Sequence, residues 1–92
     1  MNWVYMLRCK DGTLYTGWTN DLQKRVTAHN TGKGARYTRG RGPVQLAWAK
    51  QYESRSQAMV AEAALKKLPK QQKEELAIGF VSPIEGDESN PL

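Results

Sequence analysis

Tyr5 and Tyr15 stand ten residues apart with an Asp11-Gly12 pair between them, a spacing that commits the N-terminal part of the chain to a β-hairpin. Trp3 to Cys9 contains no helix or strand breaker and predicts one strand, and Leu14 to Trp18 predicts its partner. Asp-Gly is a strong short hairpin signal because these residues accept the positive φ that tight turns demand. Register then decides whether the two tyrosines can act together. A two-residue turn at Asp11-Gly12 pairs residues whose numbers sum to 23, which sets Tyr15 opposite Arg8 and away from Tyr5. A three-residue loop from Asp11 to Thr13 raises the sum to 24 and sets Tyr15 against Cys9. Side chains alternate with period two, so only the odd loop puts both phenols on one face.

Thr19-Asn20-Asp21 is a helix-start cluster. The helix it opens runs to about Asn30 and stops at Gly32. Leu22 and Val26 set its buried seam; on a wheel of about 100° per residue, His29 falls about 20° from Leu22 and Arg25 about 60° to the same side. Both polar groups flank the seam and are i,i+4 neighbours. Taken alone, His29 also reads as a packing histidine or a charge at the helix C-terminus. Thr31 to Pro43 reads as a loop with four glycines, Lys33, Arg36, Arg39, Arg41 and Tyr37. Glycine lets backbone approach a ligand, arginine grips phosphate, and tyrosine stacks on bases. Val44 to Tyr52 predicts a third strand with Val44, Leu46 and Trp48 on one face.

Ser54 with Gln57 forms a capping box for a helix reaching Leu68. Ala58, Ala61, Leu65 and Leu68 are its inward stripe, and Glu62 lies about 40° from Ala58 within that stripe. A carboxylate there needs an ion pair, with Arg25 or Arg55 as candidates, or a cation. Pro69 to Gly79 predicts a short polar helix anchored by Leu76, Ala77 and Phe80. The fold class expected is α/β of the α+β type: a small three-stranded mixed or antiparallel sheet flanked by helices.

With 92 residues, one domain over residues 1–80 is expected, followed by an acidic, disordered tail over 81–92. A core this small leaves room for a shallow groove and no deep cofactor cavity. The tail from Ser82 holds Glu85, Asp87 and Glu88 and no base, so the body before it sets 14 basic against six acidic side chains, a balance of +8. Lys24 to Arg41 holds six cations and no acid, which points to a polyanion partner. Cys9 is the sole cysteine; it cannot form an internal disulfide and reads as a small buried residue. One Cys and one His cannot build a structural zinc site. No apolar run is long enough to span a membrane, so a soluble cytoplasmic protein is expected, and with no obvious exposed apolar helix face it is expected to be a monomer.

In order, these segments resemble the GIY-YIG nuclease family, in its small stand-alone bacterial branch. Trp3-Val4-Tyr5 stands where the family has Gly-Ile-Tyr, and Tyr15-Thr16-Gly17 where it has Tyr-Ile-Gly. Asp21-Leu22-Gln23-Lys24-Arg25, His29-Asn30, Gly34-Ala35-Arg36-Tyr37-Thr38 and a Glu-bearing helix ending Leu65-Lys66-Lys67-Leu68 follow in that order. The resemblance covers nearly all of residues 2–70. It implies hydrolysis of nucleic-acid phosphodiesters, with DNA favoured over RNA, aided by Mg2+ or Mn2+. Carried over by position, it implies catalytic roles for Tyr5, Tyr15, Arg25 and His29, and a metal-binding role for Glu62. Lys33, Arg36, Tyr37, Arg39, Arg41 and Lys66 are the expected contacts to flanking nucleic acid. A nucleic-acid-binding module without catalysis is the alternative reading.

Overall fold

The computed structural model describes residues 1–83; the expected acidic tail lies largely outside them. Strands β1 (Asn2–Arg8), β2 (Leu14–Thr19) and β3 (Gln45–Tyr52) form one sheet in the order β2-β1-β3. Both pairings are antiparallel. Helices α1 (Leu22–Asn30), α2 (Arg55–Lys66) and α3 (Lys70–Ala77) complete an α+β fold, with one 3-10 turn at Arg36–Thr38.

The hairpin loop is odd, but it sits one residue earlier than the sequence suggests. Cys9 N–H donates to Thr13 O at 2.8 Å, and Gly12 N–H donates to Cys9 O at 2.9 Å. The loop is therefore Lys10–Gly12, a turn followed by Gly12 at φ 86°, the common three-residue hairpin. Tyr5 faces Gly17 and Tyr15 faces Leu7 rather than Cys9. Parity is kept, so the two phenols share a face. Asp11 explains the shift: its Oδ1 accepts from Thr13 N–H and Thr13 Oγ1, which draws Thr13 out of the loop and into pairing.

Strand β3 departs from expectation more sharply. Val44 precedes the strand, and a register break between Met6 and Leu7 lets Met6 face Trp48 while Leu7 faces Leu46. The extra residue, Ala47, turns Leu46 and Trp48 to opposite faces. Each face then has its own core. Tyr5, Leu7, Cys9, Leu22, Val44 and Leu46 cluster on one side, with Val26 of α1 against them. Val4, Met6, Ala58 and Leu65 cluster on the other, joined by Trp18, Trp48, Ala61 and Leu68. Bulge and alternation together explain how three short strands feed two helices.

Caps fix the helices. Asp21 accepts from Lys24 N–H at the start of α1, and Ser54 accepts from Gln57 N–H at the start of α2. The α3 helix is tied back to β1 by an ion pair between Glu74 and Arg8. Among the described residues no helix is long and apolar enough to cross a membrane. The expected lack of an exposed apolar helix face is not met, since α2 leaves Met59 and Val60 exposed.

Thr16 is buried on the α2 side, and among the described residues its Oγ1 has no hydrogen-bond partner. An unsatisfied buried hydroxyl costs free energy that an isosteric methyl does not. Thr16→Val is therefore expected to stabilise the protein by about 1 kcal/mol, raising Tm by roughly 4–8 °C. A thermal melt showing a lower Tm would mean the hydroxyl is satisfied in solution.

Candidate active site

The hairpin and α1 meet over Tyr5. Tyr5 is 1% exposed and His29 2%, and the phenol oxygen lies 3.0 Å from His29 Nε2. His29 Nδ1 lies 2.7 Å from Thr38 Oγ1, which in turn donates to Ala35 O at 2.8 Å. Satisfying these three short bonds together fixes the protons. Thr38 spends its hydroxyl hydrogen on Ala35 O, so it accepts from Nδ1–H, and Nε2 is left with a lone pair that accepts from Tyr5. Ala35 N–H approaches Nδ1 at 3.4 Å, a longer contact that yields to this assignment. The tautomer follows from the network.

Two glycines make the approach possible. A Cβ on Gly34 would stand 2.3 Å from His29 Nδ1 and 2.7 Å from the His29 Cα. A Cβ on Gly17 would stand 2.6 Å from the Tyr5 hydroxyl. The basic loop is also anchored at its far end, where Asn30 donates to Val44 O at 3.2 Å and accepts from Val44 N–H at 2.7 Å.

Burial and charge then set the ionisation. Desolvation pushes Tyr5 up to about 12; the Tyr15 phenol and the Glu62 carboxylate add to this, while Arg25 acts on the same phenol and pulls it down. Desolvation, with the Arg25 charge adding to it, lowers His29 to about 4. Near neutrality both groups are therefore uncharged, with an acceptor nitrogen facing a donor phenol.

Tyr15 completes an aromatic cluster, its ring centroid 6.4 Å from Tyr5 and 5.3 Å from His29. Tyr37 stacks on Tyr15 at 5.8 Å, and the Arg41 guanidinium lies 4.4 Å over Tyr37. Glu62 comes from the opposite layer. Helix α2 also packs along the edge strand β2, and the field of the carboxylate reaches Tyr5. The side chain is 19% exposed and pairs with Lys66 at 3.5 Å. The pairing with Arg25 or Arg55 that the sequence suggested is not formed among the described residues; Arg55 lies over Trp18 instead, at 5.2 Å.

Tyr5, Tyr15, Arg25, His29, Tyr37 and Arg41 thus gather on one side, with Glu62 within electrostatic reach. Lys66 is drawn to Glu62, Arg39 lines a cleft beside Arg41, Lys33 is exposed past the end of α1, and Arg36 opens the 3-10 turn. Sequence reasoning left Thr38 and Gly34 without a role. Their signal was present, in a hydroxyl and a glycine within the loop after His29, but only the folded loop shows which hydroxyl turns inward.

Among the described residues no three His, Cys, Asp or Glu side chains converge as a ready metal cage. Glu62 suits the other kind of site, where a hard, well-hydrated divalent ion needs one carboxylate and takes its remaining ligands from water and substrate phosphate.

The family model for the GIY-YIG catalytic domain matches residues 1–75, and the chain belongs to that family. Its relatives are UPF0213 proteins. One from Clostridium perfringens is 55% identical over 76 residues, covering 83% of this chain and 82% of the relative. One from Halobacterium salinarum is 51% identical, covering 83% of this chain and 99% of the relative. The solution NMR structure of a UPF0213 protein from Bacillus halodurans shares 48% identity and a TM-score of 0.53, covering 83% of this chain and 82% of that one.

Proposed function

We propose that the protein is a divalent-metal-dependent endonuclease that hydrolyses phosphodiester bonds in nucleic acid, DNA ahead of RNA, choosing structure over sequence. The observation that carries this reading is the Tyr5–His29 hydrogen bond at 3.0 Å, with Arg25 and Glu62 both acting on the same phenol. Membership of a nuclease family supports it.

In this reading the attacking water gives a proton to the Tyr5 oxygen as the phenol proton passes to His29 Nε2. The net result is hydroxide at the phosphorus and imidazolium at His29, its Nδ1–H held by Thr38. Arg25 opposes that imidazolium in the free protein. A bound phosphate offsets the Arg25 charge, the smaller of the two causes that hold His29 neutral, and so favours protonation of His29 when substrate is present. Arg25 also stabilises charge on the phosphoryl oxygens. Tyr15 orders the phosphate and water around Tyr5. Glu62 would hold Mg2+ or Mn2+, which when bound polarises the scissile phosphate and stabilises the leaving oxygen. Lys33, Arg36, Arg39, Arg41 and Lys66 would hold flanking phosphates, contacts that position a strand without reading its bases.

The test is a panel of labelled single-stranded, duplex, flapped and branched DNA and RNA, incubated with Mg2+, Mn2+ or chelator. Cleavage is expected with metal only. Arg25→Ala is expected to cut the rate at least 100-fold, with roughly tenfold or smaller loss of binding. Binding without cleavage on every substrate would replace the enzyme with a binding module.

A further inference from the structure

Beside the tyrosine–histidine cluster lies a second polar cleft, of about 570 Å3, lined by Lys10, Asp11, Arg39, Gly40 and Arg41. Two distant stretches build it: the tip of the hairpin and the far end of the basic loop. Lys10 N–H donates to Arg41 O at 2.7 Å, and Arg41 Nη1 donates to Asp11 Oδ2. Three cations surround one carboxylate there, so the cleft keeps a surplus of positive charge. It is joined by contact to the candidate active site, since Arg41 lies over Tyr37 and Tyr37 stacks on Tyr15.

Asp11 divides its two oxygens. Oδ1 accepts from Thr13 and holds the turn, while Oδ2 engages Arg41. The turn therefore survives when Arg41 lets go. That ion pair is about 40% exposed on both partners, and exposed pairs are weak and screened by salt. A carboxylate oxygen on a guanidinium occupies the place a phosphate oxygen takes, and the contact over the Tyr37 ring already positions the guanidinium. Lys10 and Arg39 are exposed and add two further donors.

We propose that this cleft is a second phosphate subsite, in which Arg41 exchanges the Asp11 carboxylate for a backbone phosphate of the strand held at the Tyr5–His29 cluster. Asp11 keeps Arg41 oriented in the free protein and yields it to nucleic acid. The subsite rests on the nucleic-acid reading of the neighbouring cluster. It extends the contact surface beyond the Tyr5–His29 cluster and brings in Lys10 and Asp11, from the hairpin rather than the loop.

Fluorescence anisotropy with labelled single-stranded and duplex DNA and RNA oligonucleotides, in chelator and across a salt series, tests it. Asp11→Asn keeps an Oδ1 acceptor for Thr13 and removes the competing charge; it is expected to tighten binding several-fold. Lys10→Ala, Arg39→Ala and Arg41→Ala are each expected to weaken it several-fold and to reduce the salt slope by about one. In Arg41→Ala the gain from Asp11→Asn is expected to vanish. Lys10→Ala and Arg39→Ala, on exposed side chains, keep the test decisive if Arg41→Ala fails to fold. Wild-type binding that survives these substitutions unchanged, or an Asp11→Asn gain that persists without Arg41, overturns the subsite alone. No binding by wild type to any oligonucleotide at low salt overturns the nucleic-acid reading itself.

Discussion

Glu62→Gln is expected to abolish metal-dependent cleavage, by roughly a thousandfold or more, while leaving nucleic-acid binding within about twofold of wild type. The substitution keeps volume and helix propensity and removes one charge. Little stability is at stake, because the Lys66 partner is half exposed and such pairs contribute about 0–1 kcal/mol. Binding does not depend on the carboxylate, which repels phosphate when no cation sits between them. What would be lost is the proposed ligand for the divalent ion, and among the described residues no cluster of acids or histidines replaces it. A second readout is independent of turnover. The Glu62 charge helps hold the Tyr5 pKa up, so ultraviolet titration of Glu62→Gln is expected to show its most resistant tyrosine ionising at lower pH. A variant that cleaves as fast as wild type would remove Glu62 from the metal role, whatever the titration shows.

The hairpin shows what was legible in the sequence and what was not. Alternation and the Asp-Gly signal place two tyrosines on one face as soon as the loop is odd, and the loop is odd. Its position slipped by one residue because Asp11 bonds to Thr13, a local side-chain choice that competes with the turn statistics. The α1 seam was legible from helical geometry, and His29 beside it from the same wheel. The split of β3 was not: a bulge at Ala47 leaves no mark in hydrophobic pattern, since Leu46 and Trp48 satisfy a buried face whichever way they turn. Thr38 escaped for a different reason. It lies nine residues from His29 through a loop without periodicity, and its 2.7 Å contact with the imidazole is a product of the folded loop. The Arg41–Asp11 pair spans thirty residues and joins two loops that no local rule brings together.

Folding stability is expected to be level from about pH 6.5 to about pH 9 and to fall on both sides, the acid limb belonging to His29 and the alkaline limb to Tyr5 together with Cys9, whose thiol is pushed up by burial. His29 ionises near 6.5 in an unfolded chain but only near about 4 in the fold. Between those values the unfolded state binds a proton that the native state does not, so stability is present above 6.5 and is lost as pH falls toward 4. The loss amounts to roughly 3 kcal/mol, a large fraction of what a small domain possesses. Tyr5 behaves as the mirror case. Its folded pKa of about 12 exceeds the ordinary 10, so the unfolded chain ionises first and stability drains away as pH climbs from 10 toward 12. The carboxylates of Glu74, held low by Arg8, and Asp11, held low by Thr13 and Arg41, lose their contributions only near pH 4 and below, which keeps the upper acid limb for His29. Urea midpoints measured from pH 4.5 to pH 11 should show both limbs in wild type. His29→Gln should flatten the acid limb and leave the alkaline one, and Tyr5→Phe should shrink the alkaline limb to the share carried by Cys9 and leave the acid one. A wild-type midpoint unchanged between pH 7 and pH 4.5, or an acid limb that persists in His29→Gln, would mean that His29 is not held neutral. It would also take away the free Nε2 lone pair on which the proposed transfer of the Tyr5 proton depends.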